Sequence, residues 1–330
     1  MDKVSILIIG RNEAANLPHL FESLKRLTYP RDSYEVIYVD DASGDNSPAI
    51  ARSYGATVYC VKKRLGRGGI RNFALGKASY PIISWIDSDC EIIDKNWLQN
   101  MLKHLKGKVA GVSGNQLRPA GGISRLISYL PGMTVDVGKT RFASWAPTTS
   151  SLFRKSALLE VGGYRNDLVT AEDLEVCTRL ADKGWKFVQT PQAQIIHHFR
   201  ATVGGFIRQQ WERGVFGAAL KEGSDSTVYD RIFNAAWLVA ALGSVALVIY
   251  PPLILVVLLA PALFYAGLEG FGIFPKVFYR YIQNERDITG ALALVALNWM
   301  KNMALFGGML HYQLGRLVGM KRRLLPEGQR

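Results

Sequence analysis

The chain has 330 residues and a formal net charge of +13, and its sequence pI is about 9.6. This length suits one large domain or two smaller ones, and the excess of basic residues favours anionic partners such as lipids or phosphorylated substrates. Nucleic acid is not an expected partner, because the basic residues do not interleave with a helix-turn-helix or zinc-finger motif.

The three cysteines, Cys60, Cys90 and Cys177, are widely spaced, and no Cys-x-x-Cys pair occurs. This pattern indicates neither a cysteine-held zinc site nor a disulfide framework, and it fits a reducing compartment. Since the first residues lead directly into a predicted strand, no cleavable signal peptide is expected.

Apolar runs rich in Ile and Val predict five buried strands in the first third of the chain. They are Val4–Ile9, Glu35–Val39, Thr57–Val61, Ile82–Ile86 and Val109–Val112. Helices are predicted between them, at Leu17–Leu27, Ser47–Tyr54, Gly69–Ala78 and Asn96–Leu105. This alternation predicts an α/β fold with a mostly parallel sheet, whose ligands bind at the carboxyl ends of the strands.

A polar loop follows the first predicted strand and contains Ile9, Arg11, Asn12 and Glu13. If this loop opens a helix, the free N–H groups and positive potential there suit a nucleotide. The alternative is that Asn12 merely caps that helix.

The second predicted strand ends at Asp40 and Asp41. A carboxylate beyond a strand end can accept hydrogen bonds from a base or a ribose hydroxyl, as in dinucleotide-binding folds. The alternative is a simple turn, because Asp, Ser and Gly all favour turns. Two adjacent aspartates directly after an apolar strand favour the nucleotide interpretation.

Glycines and two arginines, Arg67 and Arg71, precede and open the third predicted helix. Backbone N–H groups and guanidinium groups both suit phosphates. The segment is not a Walker loop, because the Gly-Lys-Ser/Thr sequence is missing. A flexible basic loop without a ligand is the alternative.

Asp87, Ser88 and Asp89 follow the buried run that ends at Ile86. Two carboxylates one residue apart at a strand end can hold Mg²⁺ or Mn²⁺ against a diphosphate, because these cations favour carboxylate and phosphate oxygens. The motif is weak alone, since Asp-x-Asp often occurs in turns. It gains weight because the loops described above fall at the same kind of strand end.

Two later segments carry candidate catalytic groups. Glu172 and Asp173 open a helix that ends near Lys183, where they are either partners of the helix dipole or a general base for an acceptor hydroxyl. His197 follows a predicted strand at Gln194–Ile196, where it is either a metal ligand or a structural histidine.

The composition changes near residue 225. Ile232 to Leu268 contains no charged residue, and Pro251-Pro252 divides it into two runs that are long enough for a membrane-spanning hairpin; the alternative is a buried hairpin in a soluble domain. A third apolar segment, 288–312, carries a central Lys301 that is costly in a bilayer. Two spans, with 288–312 re-entrant or interfacial, fit the basic segments at 276–286 and 316–323 better than three do.

Thr202–Lys221 precedes the hairpin and is predicted to be an amphipathic helix at the membrane interface; the alternative is a surface helix packed on the sheet. The side chains of this helix predicted to meet the membrane interface or an acceptor are Arg208, Gln210, Trp211 and Arg213.

The ordered series of motifs resembles the family 2 glycosyltransferases, inverting enzymes with the GT-A fold that include dolichyl-phosphate and polyprenyl-phosphate sugar synthases and glycan-assembly transferases. The resemblance covers residues 3–216. Its motifs are Val4–Glu13, Val39–Ser43, Arg67–Asn72, Asp87–Asp89, Leu152–Lys155, Val161–Tyr164, Glu172–Glu175, Arg179-Leu180, Gly184-Trp185 and the region of His197.

The resemblance implies roles for the residues that match. Asp40 or Asp41 is expected to bind the base or ribose, Asp89 to hold the metal with Asp87 assisting, and Asp173 to be the catalytic base with Glu172 beside it. His197 is implied as a further metal ligand. The other residues implied in nucleotide-sugar binding are Ile9, Arg11, Glu13, Arg67, Arg71 and Ser88.

The chain departs from the family pattern in three places. Arg11 stands where a Tyr is more usual, and Thr149 and Ser150 lie in a segment where many relatives carry Gly, which affects the expected acceptor pocket. Gln209–Arg213 only partly resembles the Gln-x-x-Arg-Trp motif of processive polymer synthases, which disfavours long-chain polymerisation.

The predicted organisation is a GT-A catalytic domain at 1–200, with a nucleotide-binding half at 1–115 and an acceptor half at 116–200, followed by a C-terminal helical membrane region. That region comprises an interfacial helix at 201–225, membrane helices at 226–312 (the hairpin 232–268 and the segment 288–312) and a basic tail at 313–330. The expected location is the cell membrane, with the catalytic domain on the cytoplasmic side.

The predicted activity is an Mg²⁺- or Mn²⁺-dependent inverting transfer of a sugar, expected to be a hexose, from a UDP- or GDP-linked donor to a polyprenyl or dolichyl phosphate or a lipid-linked glycan. Three alternatives remain open at this point. They are a polysaccharide synthase subunit, a sugar nucleotidyltransferase and a non-catalytic membrane scaffold. The Gly-x-Gly-Thr-Arg loop typical of nucleotidyltransferases is absent from this sequence.

Overall fold

The computed structural model describes residues 1–130, 132–168, 170–200, 202–220 and 274–317. These residues fall into two compact units. The first contains Met1–Ala120 and Val135–Phe199, and the second contains Gly121–Thr134 with the described residues from Arg200 onward. The predicted hairpin at 232–268 lies outside the described residues, as does the tail from residue 318.

The first unit is an α/β structure built on one sheet. Its strands are β1 (Val4–Gly10), β2 (Tyr34–Asp40), β3 (Thr57–Cys60), β4 (Ile82–Ile86), β5 (Cys90–Ile92), β6 (Val109–Leu117), β7 (Arg141–Ala143), β8 (Ser150–Arg154) and β9 (Lys186–His197). Its helices are α1 (Leu17–Lys25), α2 (Ser47–Ser53), α3 (Gly66–Lys77), α4 (Trp97–Leu102), α6 (Lys155–Glu160) and α7 (Glu172–Asp182), with a 3₁₀ turn at Arg31–Ser33. The strands and helices predicted before residue 112 are all present, within a few residues of the predicted bounds.

The sheet is parallel in its first half and mixed in its second. The strand order is β3-β2-β1-β4-β8-β6-β9-β5, and β7 pairs with β9. Strands β1 to β4 are parallel to one another where they pair, whereas β8 runs antiparallel to both β4 and β6. The carboxyl ends of β1, β2 and β4 therefore meet at one edge, as the sequence predicts.

The apolar strands separate two packed layers. Ile6 and Ile8 of β1 belong to the cluster that contains Leu20 of α1, whereas Leu7 belongs to the cluster with Ile70 of α3. Successive side chains of a strand point to opposite faces, so a strand covered on both sides is apolar throughout. This is why the parallel strands were visible in the sequence as continuous apolar runs.

The second unit is helical in its described part. It contains α5 (Gly122–Tyr129), α8 (Val203–Leu220), α9 (Phe274–Glu285) and α10 (Ile288–Leu317). Arg125 of α5 donates two hydrogen bonds to Glu285 at the end of α9, at 3.0 and 2.6 Å, and the Tyr129 hydroxyl also bonds Glu285. The predicted helix at 202–221 is thus confirmed as α8, and its interfacial position stays a prediction.

Helix α10 has an apolar exposed face, and three polar side chains lie among the apolar residues of its buried face. Ile288, Leu292 and Trp299 are exposed on one face, whereas Lys301 and Asn302 on another are buried, at 2% and 0% exposure. Its section Ile288–Tyr312, 25 residues long, is the one described helix long and apolar enough to cross a membrane. The buried position of Lys301 removes the objection that a charged side chain would face lipid.

Gly68 provides a test of how α3 packs on its neighbours. A Cβ added at Gly68 would lie 1.8 Å from the backbone oxygen of Arg165, whereas one at Gly76 in the same helix would meet nothing within 4 Å. We expect Gly68→Ala to lower the free energy of unfolding by about 1–3 kcal/mol, measured by denaturant titration of the purified protein in detergent.

Gly76→Ala is the matched control for this prediction. Because it places a better helix former in an open helical position, it should raise the free energy of unfolding by about 0.5–1 kcal/mol. Equal effects of the two substitutions would contradict the packing described for α3.

Candidate active site at the carboxyl edge of the sheet

The loops after β1 and β2 are joined by hydrogen bonds. The Asn12 side-chain oxygen accepts the Gly44 N–H at 2.8 Å, and the Ser43 hydroxyl accepts the Asn12 N–H at 2.9 Å. The Ser47 hydroxyl accepts the Glu13 N–H at 2.8 Å. Asn12 is therefore not a helix cap, because α1 begins at Leu17, and it ties the two loops together instead.

The two aspartates of the second loop have different partners. Asp40, 2% exposed, accepts the Ser43 N–H at 2.9 Å and the Ser43 hydroxyl, which closes its own turn. Asp41 accepts the Leu65 N–H at 2.7 Å, ahead of α3. Burial raises the pKa of Asp41, although the Leu65 N–H and the Arg64 charge oppose that rise. Asp40 thus closes its own turn and Asp41 links the loop to α3, and the binding of a base or ribose by either residue stays a prediction.

Three non-glycine residues beside these segments have a left-handed backbone. The φ angles are 57° at Asn12, 59° at Ala42 and 58° at Ala171. The left-handed conformation costs roughly 1–2 kcal/mol for each such residue, and least for Asn. Surrounding hydrogen bonds must therefore hold the backbone in this conformation. Strain of this kind is concentrated at functional sites.

Arg71 lies at the centre of a buried ion network. Its Nε donates to Glu172 Oε1 at 3.0 Å, and a terminal nitrogen donates to Asp87 Oδ1 at 3.3 Å. The guanidinium carbon lies 4.9 Å from the centre of the Trp85 ring. Burial alone would lower the pKa of Arg71, but the charges of Glu172 and then Asp87 outweigh burial and raise it. Arg71 therefore stays charged.

This network engages three residues that the sequence assigns to donor binding and catalysis. Arg71 and Glu172 are 3% and 2% exposed, so both are held inside the protein. Asp87 is partly exposed, and one of its oxygens is directed at Arg71. The network joins α3, the end of β4 and the start of α7.

Asp173, next to Glu172, is half-buried and is held by backbone donors. Its carboxylate accepts the Leu174 N–H at 2.8 Å and the Thr148 N–H at 3.4 Å. Burial, and then the negative charge of Glu172, raise the pKa of Asp173 to about 6, against the lowering effect of Arg71. A carboxylate with this pKa is suited to accept a proton near neutral pH.

The segment around Thr149 connects Asp173 with the aspartate loop after β4. The Thr149 carbonyl accepts the Asp87 N–H at 3.2 Å, and the preceding residue, Thr148, bonds Asp173. Ser150 is buried, and its hydroxyl accepts the Trp97 indole N–H at 2.9 Å. Thr149 thus holds the backbone of the aspartate loop, and Ser150 holds the Trp97 side chain.

Asp89 and His197 come together because β5 pairs with β9. The His197 Nε2 lies 3.3 Å from Asp89 Oδ1, and the Asp89 carbonyl accepts the His198 N–H at 2.8 Å. Both side chains are partly exposed. Cys90 joins them, since the ligand atoms of the three residues lie within 4.8 Å of one another. Asp87 is outside this cluster.

Asp89 and His197 fit a divalent cation. A carboxylate and an imidazole side by side, both open to solvent on one side, leave room for phosphate oxygens to complete the coordination. The pair is partly exposed at the same sheet edge as Asp87, and the metal site expected there from the sequence stays a prediction.

The remaining predicted residues lie in different surroundings. Ile9 packs partly against the apolar layer of α3, Ser88 is buried, and Arg67 is exposed without an ion pair to any described residue. Glu13 is buried and accepts the Asn16 amide at 2.7 Å, and exposed Arg11 donates to the Ala42 carbonyl.

The residues predicted to meet an acceptor on α8 belong to the second unit. Arg208 forms an exposed pair with Glu212 at 3.3 Å, and Arg213 contacts the Met133 sulfur at 3.7 Å. Gln210 is buried, and the Trp211 ring lies against Gly307 of α10. Trp211 is also 39% exposed, and contact of these residues with an acceptor stays a prediction.

Sequence reasoning missed two features of the site. The pairing of Arg71 with Glu172 joins residues 101 positions apart, and no local pattern signals it. Cys90 is far from the other cysteines in the sequence, but its place directly after Asp89 is a usable signal of a third neighbouring ligand.

Comparisons with known proteins agree on the type of domain. Residues 5–159 match the family model "Glycosyl transferase family 2". Glycosyltransferase AglE of Haloferax volcanii is 26% identical over 193 residues, which cover 55% of this chain and 62% of that protein. Poly-beta-1,6-N-acetyl-D-glucosamine synthase of Staphylococcus aureus is 24% identical over 237 residues, 67% of this chain and 57% of the relative. The matches thus span about three fifths of these relatives.

A solved structure shares the fold. Mannosyltransferase PcManGT from Pyrobaculum calidifontis, in complex with GDP-Man and Mn²⁺, superposes with a TM-score of 0.53 at 20% identity, covering 96% of this chain and 86% of that one. The GT-A fold expected from the sequence is therefore confirmed, and its sheet is mixed, with β8 antiparallel to both of its neighbours.

Removal of Arg71 tests the importance of the buried network. Arg71→Ala leaves Glu172 and Asp87 without their cation, and breaking a buried pair typically costs about 3–5 kcal/mol. We expect a loss of that size in the free energy of unfolding, measured by denaturant titration.

Arg165→Ala is the control for the loss of an arginine. Its ion pair with Asp167 is exposed, so the expected loss is about 0–1 kcal/mol. A loss at Arg71 no larger than that at Arg165 would contradict the structural role of the network.

Proposed function

We propose, from the match of residues 5–159 to the model of glycosyltransferase family 2, that this chain transfers a sugar from a nucleoside diphosphate donor to a lipid-borne acceptor. The observation that carries the proposal is the arrangement at one sheet edge. There, Asp89 and His197 lie 3.3 Å apart, and Asp173 is linked to the same aspartate loop through Thr148 and Thr149.

The donor nucleotide is assigned to the joined loops after β1 and β2. Asp41 is one of the carboxylates there, and Arg11 and Arg67 are exposed cations beside them. These groups support binding of a base and of phosphates. PcManGT binds GDP-Man, which supports a nucleotide-linked sugar as the donor class.

Asp89 and His197 are the residues that would hold Mg²⁺ or Mn²⁺. When bound, the cation neutralises the charge of the leaving diphosphate. We assign Asp87 to orienting this loop, because its carboxylate accepts from Arg71. Mn²⁺ in the PcManGT complex supports a divalent cation of this type.

Asp173 is assigned as the general base. Its raised pKa, about 6, lets it accept the proton of an acceptor hydroxyl as the oxygen attacks the anomeric carbon opposite the leaving diphosphate. Where the acceptor is an already ionised phosphate, Asp173 positions that group instead. Glu172 acts by holding Arg71 rather than by accepting the proton.

A membrane-borne acceptor is supported by the second unit. The exposed apolar stripe of α10 and its buried Lys301 and Asn302 follow the pattern of a membrane helix, which is apolar toward lipid and polar inside. With 288–312 re-entrant or interfacial, the basic segments at 276–286 and 316–323 lie on the same side of the membrane, which supports a cytoplasmic position for the catalytic unit.

A polysaccharide synthase is the second candidate. The similarity to poly-beta-1,6-N-acetyl-D-glucosamine synthase supports it. The partial match of Gln209–Arg213 to the processive motif makes transfer of one or a few sugars the preferred activity.

The test is a screen of UDP- and GDP-sugars with Mn²⁺, using the purified full chain in detergent and polyprenyl phosphate as the acceptor. Release of the nucleoside diphosphate with formation of a glycosylated lipid supports the proposal. A lengthening polymer supports the synthase instead, and folded protein without release from any donor would overturn both.

The pH dependence of transfer tests the role of Asp173. Below pH 6 the carboxyl is protonated and cannot accept a proton, so the rate should fall about tenfold per pH unit below that point and level off above it. The measurement is the initial rate between pH 4.5 and pH 8, a range of about two units around the expected pKa.

Asp173→Asn is the control variant for this pH profile. It should lower the rate by about 10²–10⁴-fold and remove the inflection. An unchanged inflection in the variant would rule out Asp173 as the titrating base.

Binding of Mn²⁺, followed by electron paramagnetic resonance, tests the cation site. Asp89→Ala and His197→Ala each remove one ligand and should weaken binding. His198→Ala is the matched control, because His198 is directed to Glu91, at 3.6 Å, and should leave Mn²⁺ binding intact. Equal loss in all three variants would argue against the assignment.

A further inference from the structure

Cys90 lies beside the two residues assigned to the cation. Cys90 of β5 is directly opposite His197 of β9 in the antiparallel ladder. Directly opposed residues of antiparallel strands project on the same face, with Cβ atoms about 4.5–5.5 Å apart. Register therefore directs the thiol toward the imidazole, and chain connectivity places both next to Asp89.

The three side chains converge closely enough to share one ion. Their ligand atoms all lie within 4.8 Å of one another. In the tetrahedral geometry usual for Zn²⁺, with Zn–S near 2.3 Å and Zn–O or Zn–N near 2.0–2.2 Å, two ligand atoms lie about 3.5 Å apart. Side-chain movements of about 1 Å would bring all three ligand atoms to these separations.

We propose that Asp89, Cys90 and His197 form a three-ligand site for a thiophilic divalent cation such as Zn²⁺. On metal binding, a metal–sulfur bond forms, the thiol proton leaves to solvent, and the contact of Cys90 Sγ with the Thr149 carbonyl, now 3.8 Å, is lost. The partly exposed sides of Asp89 and His197 leave the fourth position open to water or a phosphate oxygen.

The thiol changes which cations the site prefers. Oxygen ligands suit Mg²⁺ and Mn²⁺, whereas a thiolate selects Zn²⁺ and its neighbours, which also bind more tightly in general. Zn²⁺ at this site would therefore displace the Mg²⁺ or Mn²⁺ of the proposed function. The inference rests on that function only for the identity of the displaced ion.

The experiment uses Co²⁺ as a spectroscopic substitute for Zn²⁺ in the purified full chain in detergent. Coordination by a thiolate gives a near-ultraviolet sulfur-to-Co²⁺ charge-transfer band that oxygen and nitrogen ligands do not give. We expect this band to saturate at one equivalent of Co²⁺ and to disappear on addition of Zn²⁺.

Each of the three cysteines of the chain is replaced in turn to locate the band. Cys90→Ser should abolish it, whereas Cys60→Ser, at an exposed position, and Cys177→Ser, at a buried one, should retain it. Absence of the band in the unmodified protein, or its persistence in Cys90→Ser, would overturn the proposal.

If Cys90→Ser does not fold, X-ray absorption of the Zn²⁺-loaded unmodified protein tests for sulfur ligation instead. One sulfur neighbour supports the site, and only oxygen and nitrogen neighbours would overturn it. Mn²⁺-dependent transfer without any sulfur ligation defeats this inference alone. Sulfur ligation without transfer from any donor upholds it and defeats the proposed function.

Discussion

The arrangement of the sheet edge depends on the buried guanidinium of Arg71. A charged group at 3% exposure is tolerable only with partners, and Arg71 has Glu172 and Asp87, at 3.0 and 3.3 Å. Such a network adds little net stability, because desolvation offsets attraction, but losing one member leaves a buried charge uncompensated. The network therefore acts on geometry. It holds α3, the loop after β4 and the start of α7 at fixed positions relative to one another.

Asp173 and Asp89 derive their positions from this constraint. Asp173 follows Glu172 directly, and partial burial beside this second carboxylate raises the pKa of Asp173 to about 6. Asp89 follows Asp87 by two residues, and the pairing of β5 with β9 brings His197 to it. The network thus includes the chain neighbours of both the proposed base, Asp173, and the proposed metal ligand, Asp89.

The sequence was sufficient for the parallel half of the sheet, because strands covered on both faces are continuous apolar runs such as Val4–Ile9, and it located the polar loops at the strand ends. It did not reveal the antiparallel strand β8 (Ser150–Arg154), whose polar first residues hide it. Nor did it reveal that Arg71 pairs with Glu172 or that Cys90 faces His197, since both depend on tertiary contacts and strand register. The sequence alone predicts an insertion cost for Lys301 in an apolar helix, because it does not reveal that this side chain is buried within the second unit.

The central claim is that the edge holding Asp89 and His197 binds a nucleoside diphosphate through a divalent cation. Calorimetric titration of the full chain in detergent with UDP and GDP, with and without Mn²⁺, tests it most directly. The account predicts that one nucleotide binds only when Mn²⁺ is present and that Asp89→Asn abolishes this binding. Equal affinity without the cation, or in Asp89→Asn, would contradict it.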